Sequence, residues 1–287
     1  MNLNYNNTTF VIVTFKSEKI IHECLKTLPI NYKKIIIENS ANIKFKEDLE
    51  KNYENLEVFL SKNLGMGASN NIGIKKCKTD YAYVINPDVK FNEETLSELN
   101  KSLKTINDFA ILSPLSNDPN YPNYKHKARN SLSKDIISVD SIDGYSMLIN
   151  KKKFNDNLYF DENFFLYLEN DDLCLRKKKE NEYIYIFKNS LIEHLGGGSS
   201  NSYYKEELEY SRNWHWMWSK FYFNKKHYGI NQALIKSSLN FLSSLVKYFF
   251  YSAIFNQYKK KIYKMRLSGI SNAIIGKPSW YRPNINF

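Results

Sequence analysis

"NLGMGASNNIGIKKCKTDYAYVINPDV", residues 63–89, joins a glycine-rich turn to a helical segment and then to an apolar run that stops at Asn-Pro-Asp. The pattern predicts a helix over about residues 68–78 and a buried strand over residues 81–86. Proline cannot continue a central strand, so the chain must turn there and present Asp88 at the edge of a sheet. The stretch therefore predicts a strand that ends on a carboxylate.

Apolar runs of strand length recur on both sides of this stretch. They lie at residues 8–15, 33–40 and 56–60 before it, and at residues 109–115, 144–149 and 183–187 after it. Helices are predicted over residues 17–28, with Ser17 as the N-cap, and over residues 93–104 and 169–179. Strands that alternate with helices predict an α/β protein with a mostly parallel sheet covered on both faces.

Polar residues follow several of these strands. Ligands of a parallel sheet bind at the carboxyl ends of its strands, so Thr14, Glu38 and Asp88 should converge. A separate strand, "SLIEH", is predicted to end on His194, just before a glycine triplet. A lone histidine is more often structural, but the glycines indicate a mobile or closely approached loop and favour a metal or phosphate contact.

Composition limits the class of protein. A chain of 287 residues with 43% hydrophobic and 25% charged residues is typical of one large globular domain with an appendage. Cys24, Cys77 and Cys174 form no CxxC pair, which indicates neither a zinc cage nor a disulfide framework but a reduced, cytosolic protein. The first residues lack a basic segment and a cleavage site, so we expect no signal peptide.

The charge is unevenly distributed. Residues 210–287 contain 13 Lys and Arg and no Asp or Glu, while the rest of the chain has 28 basic and 30 acidic residues. This shift predicts a catalytic body over residues 1–204 and a helical, basic, aromatic-rich region over residues 205–287.

The glycines of the opening stretch have two interpretations. Gly65 and Gly67 permit positive φ and close backbone approach, and a helix that begins just after them would point free N–H groups at a nucleotide ribose or phosphate. Alternatively, they serve only a tight loop. Gly73 falls six residues after Gly67, so the spacing does not match a dinucleotide-binding fingerprint.

Carboxylates provide the other candidates for chemistry. Asp88 would suit Mg²⁺ or Mn²⁺ held together with substrate phosphates, or it could be a turn or N-cap residue before the helix at 93–104. Glu169, Asp171 and Asp172 would enrich a helix N-terminus, which is favourable in itself. Three acids beside a buried run also leave at least one candidate for a general base.

The order of these motifs, from "VIVTF" through "NLGMGASNNIG", "NPD" and "FFLYLENDDLCLR" to "EHLGGGSS", resembles glycosyltransferase family 2, which has a GT-A fold. The tail pieces "NWHWMWSKFYFNKKHYG" and "GKPSWYRP" are similar to the bacterial rhamnosyltransferase-like branch. The resemblance implies inverting transfer of a sugar from a nucleotide-sugar donor, such as dTDP-rhamnose, to a glycan or lipid-linked glycan in cell-surface polysaccharide synthesis, with Mg²⁺ or Mn²⁺ as cofactor.

The resemblance also implies roles for individual residues. The positions that would hold the nucleotide are Thr14, Glu38, Asn63, Gly65, Gly67, Asn70 and Asn86. The positions that would hold the metal are Asp88 and His194. The positions beside the sugar and the acceptor would be Asp143, Gly144 and Asp172, the last with a structural role as the alternative.

One position departs from the family pattern. Family members commonly read Glu-Asp-x-Asp-Leu, with the second residue as base, whereas this chain has Asn170 there. An amide cannot accept the proton. Glu169 or Asp171 must then serve as the base, or the protein is a catalytically impaired homologue.

The basic tail has three candidate partners: a membrane surface, a second copy of the chain, or a nucleic acid. Apolar residues at helical spacing over residues 233–255 are interrupted by Lys236 and Lys247, so a spanning helix is not expected. The helix could lie on the inner face of the cell membrane as a peripheral contact, or pack as a helical subdomain with a homodimer face. A basic, aromatic tail is also typical of nucleic-acid binding, but that alternative gives no role to the acids at the strand ends. We therefore expect no nucleic-acid partner.

Overall fold

The computed structural model describes residues 1–126, 133–154, 158–196 and 204–285. The contacts divide the chain into two compact units, one of Met1–Asp161 with Asn170–Asn201 and one of Glu162–Glu169 with Ser202–Phe287. The second unit thus includes a segment from the middle of the chain, which the charge pattern did not single out.

The first unit is built on a nine-stranded sheet with strand order β3-β2-β1-β4-β10-β6-β11-β5, and β8 pairs with β11. A separate two-stranded sheet joins β7 to β9. The strands are β1 (Thr8–Thr14), β2 (Lys33–Glu38), β3 (Leu56–Leu60), β4 (Tyr81–Ile85), β5 (Val89–Phe91), β6 (Ile111–Ser116), β7 (Tyr124–Lys125), β8 (Ile136–Ser138), β9 (Ser141–Ile142), β10 (Ser146–Asn150) and β11 (Ile184–His194).

Helices cover the sheet in the first unit and build the second unit. In the first unit they are α1 (Ile21–Thr27), α2 (Ile43–Asn52), α3 (Met66–Lys76), α4 (Thr95–Leu103) and α5 (Glu169–Lys179), whose first residue belongs to the second unit. In the second unit they are α6 (Lys205–Tyr228), α7 (Ile230–Ala253) and α8 (Gln257–Ile274).

Both faces of the sheet carry a hydrophobic core, as the buried apolar runs predicted. Along β1, Phe10 and Ile12 join one core and Val11 and Val13 join the other, because successive side chains of a strand point to opposite faces. The first core takes residues from α1, α2 and α4, and the second takes residues from α3 and α5. The predicted mostly parallel sheet with helices on both faces is confirmed.

The parallel half of the sheet positions the polar residues. Strands β3, β2, β1 and β4 are all parallel, so their carboxyl ends lie along one edge. Strand β10 then runs antiparallel between β4 and β6, and β11 returns parallel to β6. The edge at which β1, β2 and β4 end is therefore the place to look for a ligand site.

Two local predictions were wrong. Ser17 does not cap α1, which begins at Ile21 after Ile20, because the Ser17 backbone carbonyl accepts the Ile20 and Ile21 amides in a turn.

The two strands predicted at 183–187 and before His194 are one strand, β11. Its register shifts between Phe187 and Leu191, so the polar segment between them is a bulge inside the ladder and not a loop.

The second unit has its own core. Trp214 is fully buried in it, and its indole N–H donates to Ser268 Oγ at 3.1 Å. Gly269 on α8 lies against the backbone of Trp214, and a Cβ at this position would collide with the Trp214 carbonyl oxygen. The glycine therefore permits the close approach of α6 and α8.

His215 is a buried titratable group in this core. Its Nε2 lies 2.9 Å from the Tyr281 carbonyl oxygen, which can only accept, so Nε2 carries the proton and Nδ1 accepts from Ser279 Oγ at 2.9 Å. Burial lowers the pKa of His215 to about 3, because the core offers no solvation to the imidazolium form.

We expect the free energy of unfolding of the second unit to fall between pH 7 and pH 5. The unfolded chain takes up a proton at His215 near its ordinary pKa of 6.5, whereas the native ring stays neutral until about pH 3. The loss for this one residue is about 2 kcal/mol. Because Trp214, Trp216, Trp218 and Trp280 all lie in the second unit, urea unfolding followed by tryptophan fluorescence measures it.

His215→Gln should remove this part of the pH dependence, and His126→Gln, at a partly exposed position of the first unit, is the matched control. A pH dependence that is the same in His215→Gln and in the control would contradict the assignment.

Candidate active site at the carboxyl edge of the sheet

Asp88 and His194 form the centre of the site. Asp88 lies in the turn between β4 and β5, and β5 pairs antiparallel with the end of β11, with Val89 opposite His194. This pairing places His194 Nε2 3.4 Å from Asp88 Oδ1. The N-cap of α4 is Glu94, so Asp88 is a turn residue and does not cap that helix.

The Asp88 carboxylate is buried and incompletely paired. Asp88 is 3% exposed, and its Oδ1 has no hydrogen-bond partner among the described residues. A buried polar atom without a partner costs free energy, so it requires an explanation such as an ion or a ligand.

Tyr145 fixes the orientation of His194. The two rings stack with centroids 3.9 Å apart and an interplanar angle of 12°. The Tyr145 carbonyl oxygen accepts the amide of Asn86 at 2.9 Å, which ties it to the same turn as Asp88. Burial raises the pKa of the Tyr145 phenol to about 12, so the ring is neutral. No sequence motif singled out Tyr145, although it directly follows Asp143 and Gly144.

The ends of β1 and β2 supply a second group of buried polar side chains. Thr14 and Glu38 are opposite each other in the parallel ladder, and both are fully buried. The Glu38 carboxylate accepts the Ser40 amide at 2.9 Å, the Ser40 hydroxyl and the Asn42 amide at 2.7 Å. Glu38 thus shapes the loop after β2. Thr14 Oγ1, in contrast, has no hydrogen-bond partner in the described part of the chain.

The glycine-rich loop leads into α3 as predicted. Gly65 has φ of 90° and is the N-cap of α3, and its amide donates to Asn63 Oδ1 at 3.2 Å. A side chain other than glycine is disfavoured at that φ. Gly67 and Asn70 are buried in α3, and Asn70 Oδ1 lacks a hydrogen-bond partner within the described ranges.

Gly73 has a different role. A Cβ at Gly73 would collide with Val11 Cγ1 on β1. The third glycine of the opening stretch therefore allows α3 to pack closely on the sheet.

Most acidic side chains at the start of α5 form hydrogen bonds or ion pairs with other residues of the protein. Asp171 accepts Lys125 Nζ at 2.8 and 2.6 Å and the Ser141 hydroxyl at 2.5 Å. Asn170 Nδ2 donates to the Ile142 carbonyl oxygen at 2.8 Å.

Asp172 is 0% exposed and accepts Arg176 Nε at 2.9 Å. Its burial and its pairing with Arg176 indicate a structural role, the alternative that the sequence left open for this residue.

Glu169 is the first residue of α5 and is 9% exposed. The two residues before it, Tyr167 and Leu168, have φ of 71° and 67°. Consecutive left-handed residues other than glycine are costly, and such strain is concentrated at functional sites.

Asp143, in the turn before β10, is close enough to His194 for the charge of His194 to affect its pKa. The pKa of Asp143 is raised, mainly by burial; the charge of Asp171 also raises it, and the charges of Lys125 and His194 lower it. A Cβ at Gly144 would lie 3.5 Å from Asn170 Cβ, so this turn contacts the segment at the start of α5. Of the glycine triplet after His194, residues 197–198 lie outside the described residues.

The donor set fits a small, hard cation. Among the described residues, no three His, Cys, Asp or Glu side chains are placed to hold a metal ion together. Asp88 and His194 lie close enough to each other to supply two ligands. Mg²⁺ and similar ions commonly take one or two protein ligands and complete their shell with phosphate oxygens and water. Asp88 Oδ1, which has no hydrogen-bond partner among the described residues, is consistent with that use.

The sequence comparisons identify the family. Residues 9–192, more than half of the chain, match the profile of glycosyl transferase family 2. The chain belongs to this family. Membership favours sugar transfer over the nucleic-acid-binding alternative, while the rhamnosyltransferase-like branch stays a prediction.

A curated relative supports this family. The low-salt glycan biosynthesis hexosyltransferase Agl10 of Haloferax volcanii is 24% identical over 196 residues, which cover 61% of this chain and 63% of the relative. The chain thus spans less than two thirds of that relative's length.

Solved structures support the fold. GalNAc-T7 with UDP, GalNAc and Mn²⁺ is 14% identical, with a TM-score of 0.54 over 74% of this chain and 51% of that chain. S. aureus TarS 1–349 in complex with UDP-GlcNAc is 15% identical, with a TM-score of 0.53 over 96% of this chain and 93% of that chain. The predicted GT-A fold is confirmed. Among the described residues, no helix has both the length and the apolar character needed to cross a membrane.

Asp171→Asn should lower the free energy of unfolding by about 1–3 kcal/mol, because an amide cannot match both Lys125 and Ser141 in this buried position. Urea unfolding followed by circular dichroism measures the change. Glu193→Gln removes one negative charge from an exposed position of β11 and is the control. If both variants unfold at the same midpoint, the Asp171 contacts do not stabilise the fold and Asp171 becomes available as a base.

Proposed function

We propose that this protein is a metal-dependent, inverting hexosyltransferase that moves a sugar from a nucleoside-diphosphate donor to a hydroxyl of a glycan or lipid-linked glycan. The observation that carries the proposal is the buried Asp88 carboxylate, whose Oδ1 lies 3.4 Å from His194 Nε2 and has no hydrogen-bond partner among the described residues. Family membership, the hexosyltransferase relative and the fold shared with proteins crystallised with UDP or UDP-GlcNAc support it.

Asp88 and His194 would hold Mg²⁺ or Mn²⁺ at the edge of the sheet. When bound, the cation supplies positive charge that stabilises the departing diphosphate. Tyr145 keeps the His194 ring in place through the ring stack.

The nucleotide would bind along the ends of β1, β2 and β3. Thr14 Oγ1 and Asn70 Oδ1 are buried polar atoms in need of partners there, and a ribose or a base offers donors and acceptors for both. Asn63, Gly65, Gly67 and the start of α3 would contact the phosphates or the ribose, and Asn86 would flank them. Glu38 would act indirectly, by holding the loop at residues 40–42.

Glu169 is our choice for the general base. It directly follows Tyr167 and Leu168, whose left-handed backbone marks a strained segment typical of functional sites. Asp171 is held by Lys125 and Ser141, and the Asn170 amide cannot accept a proton. In the proposed step the acceptor hydroxyl gives its proton to Glu169 while its oxygen attacks the anomeric carbon. The bond from that carbon to the diphosphate oxygen breaks, and the diphosphate leaves with the electron pair, which inverts the anomeric centre.

The finer assignments rest on the sequence resemblance. We expect a dTDP-linked deoxyhexose such as rhamnose as donor, with UDP-linked hexoses as the competing outcome. Asp143 and Gly144 would lie beside the sugar and the acceptor. The protein would act in cell-surface polysaccharide synthesis in the cytoplasm, at the inner face of the membrane, as a peripheral protein that could pair as a homodimer.

Asp88→Asn should lower kcat/KM for sugar transfer by roughly 100-fold or more, since the cation loses its carboxylate ligand. Removal of the metal from the unchanged protein with EDTA should have a similar effect, and Mn²⁺ should restore activity only to the unchanged protein. Transfer from dTDP- and UDP-sugars, followed by release of the nucleoside diphosphate, measures both. Full activity of the unchanged protein in EDTA would refute the metal dependence.

Glu169→Gln should lower kcat by about 100- to 10,000-fold with little change in the affinity for the nucleoside diphosphate, because only proton transfer is lost. The matched comparison is Asp171→Asn, which should retain more activity per folded molecule. If Asp171→Asn is the inactive variant and Glu169→Gln is active, the base assignment is wrong. If the unchanged protein binds a nucleoside diphosphate with Mn²⁺ but turns over no donor, the impaired-homologue alternative holds.

A further inference from the structure

A row of large apolar side chains lies exposed on one face of α7. Its members follow one another at alternating spacings of four and three residues, which places them on a single side of a helix. Their exposed fractions lie between 54% and 77%. We call these residues the α7 face: Ile235, Leu239, Leu242, Val246 and Phe249.

The apolar surface continues past the end of α7. Phe250 and Ile254 are more than half exposed, and Phe255, in the turn before α8, is 82% exposed with φ of 56°. We call these three residues the hairpin tip. Exposed apolar patches of this extent are uncommon on monomeric proteins and mark interaction surfaces.

Lysines flank this surface. Lys236 and Lys247 on α7 lie over the rings of Tyr228 and Tyr263, at 4.3 and 5.5 Å from Nζ to centroid. Lys259, on α8 directly after the hairpin tip, lies 5.2 Å from the Tyr251 ring. The three lysines thus lie on the same pair of helices as the α7 face and the hairpin tip, with their ammonium groups against aromatic rings.

The charge distribution selects among partners. No Asp or Glu occurs after residue 209 of the sequence, so α7 and α8 carry only basic charged groups. Two copies that met through the α7 face would bring lysines together without carboxylates to pair them, and like charges disfavour such an interface. A partner surface with excess negative charge that also accepts apolar groups would match both the apolar α7 face and the lysines around it.

We propose that the α7 face and the hairpin tip bind the surface of an anionic lipid bilayer. The helix would lie in the plane of the interface with its apolar side chains about 5–10 Å into the headgroup boundary, and the flanking lysines would contact acidic headgroups. Because no described helix can cross the membrane, this is surface binding. The inference deepens the proposed function, on which it rests only for the idea that a lipid carries the acceptor.

Flotation of the full chain with vesicles tests this binding. One set contains phosphatidylglycerol mixed with phosphatidylcholine, and the other contains phosphatidylcholine alone. We expect co-flotation with the anionic set, weakened by added salt, and much less with the neutral set. Leu239→Ser with Val246→Ser should reduce binding about tenfold or more, and Lys259→Gln with Lys260→Gln should remove most of the preference for anionic vesicles.

The control is Ile30→Ser with Ile43→Ser, two exposed apolar positions of the first unit, which should float like the unchanged chain. No flotation with anionic vesicles, or equal flotation of the α7 variant and the control, would overturn the proposal. So would a dimer in solution that Leu239→Ser with Val246→Ser converts to a monomer, since the face would then be an interface between copies.

Binding of Mn²⁺ with a nucleoside diphosphate, measured without lipid, separates this proposal from the proposed function. The α7 variant should bind both ligands like the unchanged chain. Flotation without nucleotide binding would refute the transferase proposal alone, and nucleotide binding without flotation would refute the membrane proposal alone.

Discussion

The antiparallel pairing of β5 with β11 is the constraint on which the candidate site depends. It sets Val89 opposite His194, and the short turn before β5 then places the Asp88 carboxylate 3.4 Å from the imidazole. Because backbone pairing brings the two residues together and Tyr145 stacks on the His194 ring, the pair is held without a ligand. A cation site benefits from such pre-organisation, because folding has already brought the ligands together before the cation binds.

The buried polar groups of the first unit fall into two classes. Glu38, Asp171 and Asp172 have their oxygens used by neighbouring loops and basic side chains, so they stabilise the fold. Thr14 and Asp88 lie at the carboxyl ends of β1 and β4, and Asn70 lies in α3, which follows β3. Each keeps an atom without a hydrogen-bond partner among the described residues. Buried polar atoms without hydrogen-bond partners indicate where a polar ligand would complete the structure.

The sequence predicted what local patterns determine. Uniformly buried runs such as β1, the glycine at positive φ before α3 and the proline after β4 are each visible in a few residues. Non-local partners determine the rest. The Asp171–Lys125 contact, the Tyr145–His194 stack and the collision of a Gly73 side chain with Val11 all join residues from different elements. Strand β11 was predicted as two strands because the polar residues of its bulge interrupt the apolar pattern.

Pulsed electron paramagnetic resonance of Mn²⁺ bound with a nucleoside diphosphate tests the central claim, that Asp88 and His194 jointly hold the cation. A directly bound imidazole couples its nitrogen to the Mn²⁺ electron spin. We expect a ¹⁴N coupling in the unchanged chain that disappears in His194→Ala, and a large loss of Mn²⁺ affinity in Asp88→Asn. A complex that binds Mn²⁺ without any ¹⁴N coupling, or that keeps the coupling in His194→Ala, would contradict the account.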